Sequence, residues 1–190
     1  MLSISQNLLS IRKYIEYCDF LNRYSLMSLL YTNGKIASRL GSREAFRIMK
    51  ALYVQAPENY KIIDVPVPTI KDEEVLIQVG FAAICHSDLD AIHGYRKHLI
   101  RFPFIGGHEF AGTVVEVGEK VPGFREGDKV AIECIVRCRQ CRGCDMDLVY
   151  CENYSELGFI SNGGFAEYVA VPARNCHKII NMSMEQAALV

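Results

Sequence analysis

The stretch Gly106-Gly107-His108-Glu109-Phe110-Ala111-Gly112-Thr113-Val114-Val115-Glu116-Val117-Gly118 decides how this 190-residue chain is read. Two glycines precede a chelating His-Glu pair, and glycine lets a backbone bend tightly and approach a metal closely. Residues 112–117 are valine-rich and alternate, which predicts a strand, and Gly118 supplies the turn after it. The chelating pair therefore sits in a turn that leads into a sheet.

Working outward, the same pattern repeats. Glu74-Val-Leu-Ile-Gln-Val-Gly-Phe-Ala-Ala-Ile reads as a long strand ending at Cys85. Ser87 or Asp88 then caps a short helix over 88–93 that stops at Gly94. Upstream, Lys50-Ala-Leu-Tyr-Val-Gln is a strand, with Tyr60-Lys-Ile-Ile-Asp-Val as its hairpin partner across Pro57-Glu-Asn. Pro66 and Pro68 keep the next segment extended. Downstream, residues 129–133 and 165–171 are further strands, with Gly118, Gly123 and Gly127-Asp128 turning the chain between the earlier ones. Many short strands and little helix predict a mainly β fold, a small β-barrel.

Half of the residues are hydrophobic, enough for one domain with a core of its own, so metal is not the sole source of stability. A net charge of −1 gives no reason to expect nucleic acid or a membrane surface as partner. Residues 1–48 differ from the rest, with 7 Lys/Arg against 3 Asp/Glu. Leu8, Ile11, Ile15, Cys18 and Leu21 recur there at helical spacing. The stretch is basic and serine-containing, as transit peptides are, yet Glu16, Asp19 and Glu44 run against that reading. Residues 1–48 are taken as an N-terminal extension, poorly ordered or translated from a misplaced start, and 49–190 as the domain. The 8 cysteines come without a signal-peptide pattern, and such clusters more often bind metal in a reducing compartment. No apolar run approaches the roughly 18 residues of a membrane span. The expectation is a soluble, cytoplasmic protein.

The chelating residues form two sets. Cys138, Cys141, Cys144 and Cys151 make a Cys-x2-Cys-x2-Cys-x6-Cys run, which suits a closed structural zinc site of four thiolates. Cys85, His108 and Glu109 make a mixed S/N/O set, which suits a catalytic zinc with one position left open. Asp88 is placed to take the free ring N–H of His108, and Ser87 to pass a proton from a bound alcohol. Each residue also has an ordinary role: a small core cysteine, two helix caps, a surface ion pair.

Together these residues match a family. Gly107-His-Glu-x2-Gly112-x5-Gly118-x2-Val121 resembles the signature of zinc-dependent medium-chain alcohol dehydrogenases. Cys85-His-Ser-Asp resembles that family's first-ligand motif, and residues 117–130 the turn and strand after the signature. The resemblance runs from about Met49 to Val190 and implies a GroES-like β-barrel with a few short helices and a zinc-binding loop lobe at 138–151. It implies catalytic zinc on Cys85 and His108, with Glu109 either a ligand or just behind it. It also implies Ser87 as the relay hydroxyl, two zincs per chain, a small-molecule alcohol or polyol as substrate, and NAD or NADP in the full-length enzyme. Full-length relatives are homo-oligomeric. Residues 130–133 and 163–175 look like the sorbitol and polyol branch. Asp90 stands where some ethanol-oxidising relatives place a relay histidine, so that relay is in doubt; His86 reads as an exposed, solvated side chain.

There are three departures. The interval from Cys144 to Cys151 holds six residues where the family commonly has seven; Cys134 is the alternative fourth ligand, otherwise a spare thiol with Cys18 and Cys176. None of the 14 glycines forms Gly-x-Gly-x-x-Gly, so a Rossmann domain is expected to be absent from this chain. The acidic or cysteine zinc ligand that follows Gln186-Ala-Ala-Leu-Val190 in polyol-type relatives is expected to be absent too. A chain of this content should be inactive or nearly so by itself. The competing reading is a free-standing zinc-binding interaction module without catalysis; two zincs per chain favour the enzyme, one favours the module.

Overall fold

The computed structural model describes residues 47–95, 97–146 and 151–189. The helical spacing expected in the N-terminal extension lies outside the described residues. The first strand, β1 (Ile48–Ala56), turns at Pro57-Glu58 into β2 (Asn59–Pro66), the hairpin expected from the sequence. There follow β3 (Glu74–Ala83), α1 (His86–Ile92), β4 (Phe104–Ile105), β5 (Glu109–Val117), β6 (Lys129–Ile132), β7 (Ile135–Val136), α2 (Arg142–Met146), β8 (Ser155–Glu156), β9 (Tyr168–Pro172), β10 (Cys176–Lys178) and α3 (Met184–Ala187). The fold is mainly β, with few and short helices.

Two sheets carry the domain, with strand orders β2-β1-β4 and β10-β6-β5-β3-β9, while β7 and β8 form a separate pair. The sheets are stitched by main-chain bonds. Leu52 N–H donates to the Phe165 carbonyl at 2.8 Å, Glu167 N–H donates to the Lys50 carbonyl at 3.1 Å, and Ala51 bridges Ala166. This stitch shortens the strand expected over 165–171 to Tyr168–Pro172. Residues 165–167 bridge the two sheets: Phe165 and Glu167 satisfy the main chain of β1, while the Glu167 carbonyl accepts from Val79 N–H of β3 at 3.0 Å, since buried peptide groups must find partners somewhere.

Val75 and Ile77 of β3, Phe110 and Val114 of β5, Val130 and Ile132 of β6 and Val169 and Val171 of β9 close the main core. Leu76 is buried as well, so β3 is covered on both faces over residues 75–77, where it lies between β5 and β9. One feature of this sheet positions everything that follows. Antiparallel pairing sets Ala83 opposite Glu109, so the end of β3 lies against the start of β5. Among the described residues no helix is long and apolar enough to cross a membrane.

Candidate metal centre and cysteine lobe

Because Ala83 faces Glu109, the residues just past β3 meet those just before β5. One ligand atom each from Cys85, His108 and Glu109 lies within 4.8 Å of the others. The helix between them starts earlier than its sequence suggested. α1 begins at His86, with Cys85 as N-cap residue, so Ser87 and Asp88 lie in its first turn, and Asp88 caps the helix from inside as the N3 member of a capping box. Asp88 is buried there and works twice. Its Oδ2 accepts from the Cys85 N–H at 2.9 Å, and its Oδ1 lies 3.1 Å from His108 Nδ1. One carboxylate thus fixes both the backbone of the sulfur donor and the ring of the nitrogen donor, leaving Nε2 for the cluster. Ser87 Oγ stands 3.5 Å from Nε2, and Glu109 Oε1 stands 3.8 Å from it. The expected Glu109 turn is instead the first residue of β5.

The turn before His108 has no room for side chains. Gly107 has φ +88°, and a Cβ there would lie 2.5 Å from the Phe165 ring. Gly163 packs on the opposite side, where a Cβ would meet the Gly107 carbonyl at 2.1 Å. Phe159, buried and not singled out from the sequence, lays its ring over His108 with centroids 4.8 Å apart. The one sequence signal for this cradle is the glycine cluster Gly158, Gly163 and Gly164, which marks close backbone approach.

Negative charge gathers around the His108 ring. Burial pulls the His108 imidazole down, but the carboxylate of Asp88 and then Cys85 outweigh it and hold the ring up at about 9. Hydrogen bonding from Ser87, with His108 contributing less, lowers the Cys85 thiol. A thiolate and two carboxylates around one imidazole form a donor set with excess negative charge. The mixture of one sulfur, one nitrogen and carboxylate oxygen suits zinc.

The second set is built locally. Ligand atoms of Cys138, Cys141, Cys144 and Cys151 also lie within 4.8 Å of one another, and Cys134 does not join them. The shortened interval before Cys151 therefore still returns its sulfur to the cluster. Backbone donors aim at the sulfurs: Arg139 N–H at Cys144 Sγ (3.2 Å), Cys138 N–H at Cys151 Sγ (3.4 Å), Glu152 N–H at Cys141 Sγ (3.5 Å). Arg139 accepts a left-handed φ of +55° to make its bond. The Gln140 backbone N–H lowers Cys138 to about 6, while burial and the neighbouring sulfurs push Cys144 up to about 11. Four sulfurs so close cannot all ionise without a cation, and a four-thiolate set suits zinc. Cys134 is instead half-buried against the main core, its thiol pushed up to about 11 by burial first and then by Glu156. The side chain of His86 is exposed and lies 3.6 Å from Asp90. The seven cysteines among the described residues are all free of disulfides.

Residues 71–181 match the family of the alcohol dehydrogenase GroES-like domain. The chain is 36% identical over 143 residues to D-arabinitol dehydrogenase 1 of Uromyces fabae, covering 75% of this chain and 40% of that protein. A cobalt- and zinc-bound thermostable alcohol dehydrogenase from Pyrobaculum aerophilum superposes with a TM-score of 0.67 at 32% identity, over 75% of this chain and 44% of that one. A zinc-binding dehydrogenase from Sinorhizobium meliloti 1021 bound to NADP superposes with a TM-score of 0.70 at 29% identity, over 75% and 42%. This chain belongs to the zinc-dependent medium-chain alcohol dehydrogenase family, as its GroES-like portion. It spans about two fifths of the length of these relatives.

Proposed function

We propose that this chain is the metal-binding catalytic portion of an NAD- or NADP-dependent dehydrogenase acting on a small alcohol or polyol. The observation that carries the reading is the convergence of Cys85, His108 and Glu109 on one point, with Asp88 behind the imidazole. Cys85 and His108 would hold zinc, and Glu109 either completes the set or stands beside it. When bound there, zinc supplies Lewis acidity that favours the alkoxide form of a substrate hydroxyl. Ser87, beside His108 Nε2, is positioned to accept the hydroxyl proton and hand it outward. Asp88 keeps the imidazole oriented, and Phe159 limits water on the ring face it covers.

The four cysteines of the lobe would hold a second, structural zinc, giving two per chain. The nicotinamide would be held by residues outside these 190, since none of the glycines here forms a dinucleotide fingerprint. Alignment of cofactor and alcohol contributes on the order of 7–11 kcal/mol at its largest, so this stretch by itself should turn over little or nothing. Residues 49–190 act as the domain in this reading, with 1–48 an extension to it. Free thiols at metal-binding spacing suit a cytoplasmic setting.

Metal analysis of the purified chain tests the proposal directly. Two zincs per chain, falling to one in Cys85→Ser, are expected. A wild-type stoichiometry of one that survives Cys85→Ser unchanged would sink it.

A further inference from the structure

The segment leading into the cysteine lobe has an anchor that the alcohol chemistry does not use. Asn175 lies in the 3-10 turn Ala173–Asn175 between β9 and β10 and is only 2% exposed. Its side-chain Nδ2 donates to the carbonyl of Glu133 at 2.9 Å and to that of Ile135 at 2.8 Å. Its own carbonyl accepts from the Glu133 N–H at 2.9 Å. Residues 133–135 are thereby gripped from one side, while on the other the Cys134 carbonyl accepts from Leu157 N–H at 3.0 Å. A second grip lies within the lobe, where Arg139 Nη2 donates to the Arg174 carbonyl at 3.4 Å. Arg139 is the residue whose N–H also points at Cys144 Sγ. His177 of β10 adds a contact to Glu133 at 3.5 Å.

A buried amide that spends both N–H groups on carbonyls flanking one residue fixes that residue's backbone, because breaking either bond strands a buried acceptor. We infer that Asn175 is a positioning residue for the lobe. It locks residues 133–135 so that Cys138 enters the sulfur cluster in register, and the lobe's metal affinity depends on a turn that carries no ligand. The lobe would then be loaded as an attachment of the sheet rather than as an independent knuckle. This rests on the reading of the four cysteines as a metal site.

The test uses the purified chain and its variants Asn175→Asp, Asn175→Ala and Arg139→Gln. Cobalt loading reports the four-sulfur site through its intense thiolate absorption, and competition between zinc and a chromophoric chelator gives the affinity of each site. Asn175→Asp keeps the size but sets a carboxylate against two carbonyl oxygens. Both Asn175 variants are expected to lower zinc affinity at the lobe on the order of 10–100-fold, as loss of supporting hydrogen bonds does elsewhere. Arg139→Gln should show a smaller loss, and the Cys85 site should keep its affinity in all three. Unchanged lobe affinity, or an equal loss at both sites, overturns the inference by assigning Asn175 to sheet stability alone. Should the Asn175 variants fail to fold, as judged by circular dichroism, Arg139→Gln decides: no loss at the lobe overturns the inference. A wild-type chain that takes no metal at the four cysteines overturns the lobe reading and the inference with it, whereas a metal-loaded wild type with indifferent variants overturns the inference alone.

Discussion

The mixed Cys85, His108, Glu109 cluster and the four-cysteine lobe are built by opposite means. The first joins residues from two strand ends through sheet register, and its neighbours are side chains: Asp88, Ser87 and Phe159. The second draws all four sulfurs from one short run, and its neighbours are backbone N–H groups. A site assembled by tertiary pairing can keep an irregular donor set and leave a face open for chemistry. A run that supplies all four sulfur donors itself suits a structural site instead.

The sharpest way to break this comparison is to delete a lobe sulfur. Cys141→Ser should abolish metal binding at 138–151, where apparent zinc binding energies in comparable small sites run to about 10–16 kcal/mol, and leave the Cys85 site loaded. Zinc counts and circular dichroism would show one metal lost with the strand signal retained. Loss of both metals would mean that the regions are not separable.

The converse substitution attacks the sheet. Phe110 is 1% exposed at the heart of the main core, and Phe110→Ala should cost about 3–5 kcal/mol in chemical denaturation. The mixed site should weaken with it, because Phe110 follows Glu109 directly. Next in size is Asp88→Asn, expected to lower metal affinity at the mixed site about 10–100-fold, with the lobe unchanged in the same chelator titration. An equal effect on both sites would erase the distinction between side-chain and backbone support.

The smallest effect concerns a charge remote from either site. Lys178, 2.8 Å away, and then the Arg125 N–H hold the Asp128 carboxyl below its usual range. A depressed folded pKa contributes stability above the unfolded value of about 3.9 and loses it as pH falls through the folded value. Asp128→Asn should therefore flatten the acid side of the melting-temperature profile slightly, without altering either metal site. A variant profile as steep as that of the wild type would refute the pairing.

Much of this was legible in the residues. The β1–β2 hairpin, the β3 strand running towards Cys85 and both clusters of chelating side chains follow from alternation, turn residues and chelator spacing, which are local properties. Two elements differ from the sequence expectation, one for a local reason and one for a long-range reason. α1 starts at His86 because Asp88, three residues beyond Cys85, accepts from the Cys85 N–H, and β9 begins only at Tyr168 because Phe165 and Glu167 make main-chain bonds to Leu52 and Lys50 of β1. Only the second of these partners lies beyond a window of a few residues. Phe159 and Asn175 escaped for the same reason: a lone aromatic and a lone amide carry no pattern until the fold places a histidine or two carbonyls beside them.

The order of residues by itself determined the chemistry on offer: which atoms can bind metal, how many, and in what local grouping. Only the tertiary structure decided which of them meet, because the pairing of Ala83 with Glu109 converts two distant motifs into one cluster. The physical reason is range. Turn and strand preferences act over a few residues, whereas the register that brings a sulfur to an imidazole is set by burying β3 between its neighbours.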